Sequence, residues 1–199
     1  MGVIRKLFCS LAVVSVLAGV AYGDIAIANY SYNVAPSGSY PDSGGVELTD
    51  GTDLTAAWGA GISHPNSTPL VGWRYIDGSI TFNFTQVETV GSFTVWAADS
   101  DGYAGVGVPA TITLSTAGET FTQTFTVTNP AGNGTTVPLT FEGFSVTTDQ
   151  LTVSFVRGYE WTMYSEVTFS SVPEPAHVGA ALGTGVLAVL VWMRRRRRA

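Results

Sequence analysis

Apolar and polar residues alternate one for one along much of the span from Asp24 to Ser171, and no stretch keeps the rhythm of a helix. In "SITFNFT" Ile80, Phe82 and Phe84 share one face, and in "GSFTVWA" Phe93 and Val95 oppose Thr94 and Trp96. "ATITLST", "ETFTQTFTVT" and "QLTVSFVR" repeat the period with Ile112 and Leu114, with Phe121, Phe125 and Val127, and with Leu151, Val153 and Phe155. A period of two in Thr, Val and Phe marks strands buried on one side. Clusters such as "DSDGYAG" and "NPAGNG" supply the turns between them. Short strands without crossover helices predict an antiparallel sandwich or barrel.

Such a fold must hold itself together without disulfides. The one cysteine, Cys9, lies in an N-terminal leader: Arg5 and Lys6, the apolar run "LFCSLAVVSVLAGVA", then small residues Ala21 and Gly23. This layout predicts a secretory signal over residues 1–23, cut before Asp24. The exported body, residues 24–171, then has no cysteine and depends on one hydrophobic core, for which it is long enough.

Charge is segregated along the chain. Of nine Lys and Arg, only Arg74 and Arg157 fall in the body, against all but one of the 15 acidic residues. Phosphate backbones need a basic face, so nucleic acid is excluded as a partner. Neutral sugars and divalent cations fit an acidic body better.

Catalysis finds little support. His64 sits in the turn-like "ISHPNS", His177 borders an apolar run, and neither a nucleophile elbow nor a zinc-helix motif accompanies them. The chain is therefore expected not to be an enzyme, a hydrolase being the remote alternative. "VELTDGTDLTAAW" crowds Asp50 and Asp53 with hydroxyls on a Gly-containing turn, a donor set suited to Ca²⁺. Among the aromatics, Trp73 and Tyr103 lie in or beside loops and are the expected ligand-stacking residues.

The C-terminus carries the remaining positive charge. Residues 176–193 form an apolar run of about 27 Å as a helix, enough to span a bilayer. Arg194, Arg195, Arg196, Arg197 and Arg198 follow it as a cytoplasmic stop. Pro173 and Pro175 keep the preceding peptide extended and accessible.

Residues 172–199 resemble the PEP-CTERM sorting signal of exopolysaccharide-producing bacteria: "VPEP" (with Pro173, Glu174 and Pro175), the apolar segment, then the arginine cluster. The resemblance implies an exosortase-type membrane enzyme as partner and processing near Pro-Glu-Pro. A permanent single-span anchor is the alternative, and both leave the body outside the membrane.

The body resembles the galactose-binding-like, or discoidin (F5/8 type C), superfamily of jelly-roll sandwiches. "SYPDSGGVELTDG" is similar to its early L-x-D-G turn, "GSITFNFTQVETVGSFTVWA" to its central strands, and "GVPATITLSTAGETFTQ" to its hairpin. Ala117-Gly118 stands where Asp-Gly is usual in that hairpin. "EWTMYSEVTF" is similar to the closing strand, whose Glu returns to the early loop. The resemblance implies that Asp50, Asp53 and Glu166 share a structural Ca²⁺.

The expectation is thus an all-β, antiparallel jelly-roll sandwich between a signal peptide and a C-terminal transmembrane helix. It would reside in the cell envelope or exopolysaccharide matrix and bind a neutral glycan or exopolysaccharide. The alternative is a structural matrix protein without a ligand pocket.

Overall fold

Eight strands account for nearly all the regular structure in the computed structural model, which describes residues 23–52, 70–130 and 136–172. The chain divides into two units, Tyr22–Val172 and a second made of Met1–Ala21 with Pro173–Ala199; every described residue lies in the first. The strands are β1 (Ile27–Tyr32), β2 (Val71–Arg74), β3 (Gly78–Ala98), β4 (Pro109–Ser115), β5 (Thr122–Thr126), β6 (Thr136–Phe141), β7 (Val146–Arg157) and β8 (Trp161–Ser171). All pair antiparallel.

β3 organises the fold because it belongs to both layers. Its first half pairs with β1 and β7, and β7 continues to β4 and β5. Its second half pairs with β8 and β6, and β8 continues to β2. The two segments read as separate strands in the sequence are one bent strand. Between them the buried positions change from even (Ile80, Phe82, Phe84) to odd (Phe93, Val95, Ala97), and the β7 register shifts between Asn83 and Glu88. Such a change of parity carries a strand's apolar face from one layer to the other. Gly91 follows the bend because a Cβ there would lie 2.5 Å from Val172 Cγ2.

The core fills with rings contributed by both layers. Phe169 on β8 meets Phe82 and Phe84 on β3 at 5.1 and 5.2 Å between centroids. Phe155 on β7 meets Trp73 on β2 at 5.1 Å, and Phe125 on β5 meets Phe141 on β6 at 5.0 Å. Tilted and edge-on pairs of this kind add to the burial term that replaces disulfides. Pro138 is accommodated in β6, which pairs only with β3.

Both ends of β3, the end of β7 and the start of β8 lie at one end of the sandwich, where Gly78 pairs with Phe155, Ala97 with Tyr164, and Arg74 with Trp161. Loops gather there. Among the described residues no helix is long and apolar enough to cross a membrane; residues 176–193 lie outside them.

Candidate functional site

At this loop end the turn 75–77, the loop 99–108 and the turn 158–160 interlock. Tyr75 N–H donates to Glu160 O at 2.8 Å, and Arg74 Nε–H donates to Glu160 Oε1 at 2.7 Å. A Cβ on Gly107 would come within 2.2 Å of the Tyr159 ring, so this loop can seat on Tyr159 only through glycine. Asn129 Nδ2 donates to Asp101 Oδ1 and to Tyr159 OH, both at 3.2 Å.

Exposed aromatics and the body's two arginines meet on this surface. Tyr75 is 57 % exposed, with the Arg74 guanidinium 5.0 Å and that of Arg157 6.0 Å from its ring centre. Arg74 also lies 5.3 Å from the Trp161 ring, and Tyr103 is 73 % exposed. Neither arginine presents an uncompensated charge: Arg74 pairs with Glu160, and Arg157 Nε lies 3.7 Å from Asp77 Oδ1. Hydrogen bonds from Tyr75 and then Arg74 hold the Glu160 carboxyl below its usual range, so it stays ionised. Tyr75, Asp101 and Ala104 adopt positive φ of 58°, 50° and 50°. Non-glycine residues rarely do so, and such strain concentrates where a surface must hold a defined shape.

Tyr103 is exposed, as its loop position predicts. Trp73 is not. It is 1 % exposed, its ring packs against Tyr32, Phe155 and Tyr164, and its Nε1–H donates to Val34 O at 2.9 Å. Trp73 lies within β2, whose pairing with β8 turns it into the core, and the exposed aromatic is Tyr75 just after the strand. The sequence carried a usable signal: each body arginine has aromatic neighbours, in "WRYI" and "VRGYEW".

The early loop is a separate place on the molecule. Asp42 Oδ2 accepts from Tyr30 OH at 2.9 Å and Tyr32 OH at 2.6 Å, and Tyr30 OH accepts from Leu48 N–H at 3.2 Å. Val167 N–H donates to Leu48 O at 2.8 Å, and Gly51 N–H donates to Glu166 Oε2 at 3.1 Å. Glu166, 6 % exposed, therefore does reach back to the early loop beside Asp50. A register shift at Ser165, where Trp96 faces Glu166 but Ala97 faces Tyr164, turns Glu166 out of the core alternation. Asp53 lies outside the described residues, as do His64, Pro173, Glu174, Pro175 and the arginines 194–198.

Burial, then the hydrogen bond and charge of Asp42, push the Glu47 carboxyl up to about 7. Burial also acts to raise Asp42, but hydrogen bonds from Glu47, Tyr32 and Tyr30 outweigh it and hold that carboxyl below its usual range.

A third feature is a trough of about 570 Å³ between β5 and β6, lined by Phe125, Val127, Pro138, Leu139, Phe141 and threonines. It carries no charged lining residue and no strained backbone.

No family model matches the chain, and no curated protein does. Solved structures do. A fucose-binding module of Streptococcus pneumoniae is similar at 12 % identity and a TM-score of 0.53, covering 76 % of this chain and 96 % of that one. The lectin domain of lectinolysin, solved with Lewis b antigen, is similar at 11 % identity and 0.50, covering 72 % and 92 %. The body folds as these sugar-binding modules fold. A Clostridium perfringens ZmpB structure holding two CBM32 domains and an M60 catalytic domain matches at 11 % identity and 0.50, over 76 % of this chain and 15 % of that one. The antiparallel β-sandwich expected from the sequence thus holds at the level of fold.

Proposed function

We propose that this protein is an exported carbohydrate-binding module whose ligand face is the loop end bearing Tyr75 and Tyr103. The observation that carries this reading is the exposed aromatic pair beside two internally neutralised arginines. Aromatic faces take the apolar side of a sugar ring, and Arg74, Arg157, Asp77 and Glu160 offer hydrogen bonds to its hydroxyls without a net charge. A neutral glycan fits this balance, and the acidic body disfavours anionic partners.

A broad glycan array probed with the full chain in mild detergent should give saturable hits that weaken on Tyr75→Ala and Tyr103→Ala. A blank array would favour the structural matrix reading.

The early loop is proposed to hold Ca²⁺ through Asp50, Asp53 and Glu166. Support comes from the nearly buried Glu166 carboxylate beside an oxygen-rich loop and from the acidity of that loop. When bound, the ion would join the early loop to β8. EDTA should then lower the melting temperature, and Asp53→Ala should abolish that sensitivity; an unchanged melt in EDTA contradicts the site.

Residues 172–199 are proposed as a sorting tail recognised at Pro173, Glu174 and Pro175 by an exosortase-type enzyme. Residues 176–193 would cross the membrane and Arg194 to Arg198 would stay cytoplasmic, with the body delivered to the envelope or matrix.

A further inference from the structure

An edge strand leaves a row of backbone donors and acceptors unpaired, and folded proteins guard such edges with covering loops, prolines, bulges or charges. Most edges of this sandwich are guarded. The turn 37–40 covers β2: Gly72 N–H donates to Tyr40 O at 3.0 Å, and Gly72 O accepts from Ser37 N–H at 2.8 Å. β6 carries Pro138, which has no N–H, and β1 is bulged between Ile27 and Asn29. Among the described residues β5 has no such guard. It pairs only with β4, and the sequence holds no charged residue between Glu119 and Glu142.

The ladder fixes which groups face outward. Thr116 N–H donates to Phe121 O at 3.1 Å, and Val127 N–H donates to Ala110 O at 3.0 Å. Bonded and non-bonded positions alternate along an antiparallel pair, so Thr122, Thr124 and Thr126 turn their N–H and C=O away from β4. The hydroxyls of Thr113 and Thr124 lie 2.8 Å apart, as expected where side chains approach most closely at a non-bonded pair. Among the described residues no other strand takes up these outward groups.

We propose that the free edge of β5 is a homodimer interface, on which β5 of a second copy pairs antiparallel about Thr124. The strand is self-complementary. Thr124 meets Thr124 of the second copy and Thr122 meets its Thr126, so every outward N–H finds a C=O. The exposed threonines of both copies then extend the hydroxyl pairing already made between Thr113 and Thr124. Charge selects a second copy. Acidic residues far outnumber Arg74 and Arg157 in the body, so two copies repel over most approaches but not along this uncharged side. The trough between β5 and β6 runs along the same edge, and the second copy would cover apolar surface of Phe125, Leu139 and Phe141. A glycan could use the threonine hydroxyls but would leave the backbone row without partners in register. A strand satisfies both.

Sedimentation velocity of the full chain in mild detergent should show monomers passing to dimers as concentration rises. Thr124→Pro removes an N–H that the fold itself does not use. It should raise the dimer dissociation constant about tenfold or more, because both symmetric bonds at the centre of the pairing are lost. Thr124→Lys keeps the backbone and sets two like charges face to face, so it answers the question even if the proline disturbs β5. It should weaken the dimer by a similar factor and leave the melting temperature of the monomer unchanged. In a Cys9→Ser background, Thr124→Cys should cross-link two copies under mild oxidation, since paired strands hold these positions about 5.5 Å apart. Thr113→Cys, one strand further in, should not. A parent chain that stays monomeric at every concentration would overturn the proposal. So would a dimer that Thr124→Lys leaves intact, because the contact would then lie elsewhere.

Discussion

Trp73 and Tyr75 are two residues apart and have opposite roles. Trp73 closes the core under the loop end, and Tyr75 stands on the surface above it. Trp73→Ala should cost about 3–5 kcal/mol in denaturant unfolding, as large aromatic truncations in a packed core do. Tyr75→Ala should leave the unfolding midpoint nearly unchanged. Glu47 offers a test by pH. Its carboxyl is raised from 4.5 to about 7 in the folded protein, so the folded state holds a proton that the unfolded chain releases. The stability linked to it is complete below pH 4.5 and is lost as the pH rises through 7. Glu47→Gln should therefore remove a loss of stability between about pH 5 and 8, seen as a flatter melting profile across that range. A profile as steep as the parent's would contradict the Asp42–Glu47 pairing.

At the scale of elements, strand identity was legible in the sequence and strand placement was not. The alternation in "ATITLST" and "QLTVSFVR" became β4 and β7 because a period of two has only one regular solution. β3 appeared as two strands because its apolar parity changes at the bend, and local pattern cannot show that both halves are continuous. The register shift at Ser165 was equally hidden, since pairing with β3 sets it. Glu166 could be tied to the early loop only through family resemblance. β6 carries a proline within "TVPLTF" that masks the strand in the local pattern; its position beside β3 explains why the proline is tolerated. At the bend, Gly91→Ala would press a Cβ against Val172 and should destabilise by about 1–3 kcal/mol, measurable as a lower unfolding midpoint. A neutral result would mean that Val172 can move away, and that closure of the two layers there is loose.

At the scale of the whole molecule, an acidic, cysteine-free sandwich is proposed to be directed outward by its leader and its tail. Mass spectrometry of the mature C-terminus tests the tail: a product ending near Pro175 is expected, and retained arginines would indicate a permanent anchor instead. The loop end was only partly legible. Tyr103 stood out in its glycine-rich loop, whereas Tyr75 and the two arginines converge only once β2, β3, β7 and β8 are paired. The most direct test of the central claim is titration of the full chain, in mild detergent, with a neutral glycan identified by array. The account predicts that Tyr75→Ala weakens that affinity by about tenfold, roughly the loss of one aromatic contact, while the melting temperature stays the same. An unchanged affinity in Tyr75→Ala and Tyr103→Ala alike would place the ligand elsewhere and contradict the account.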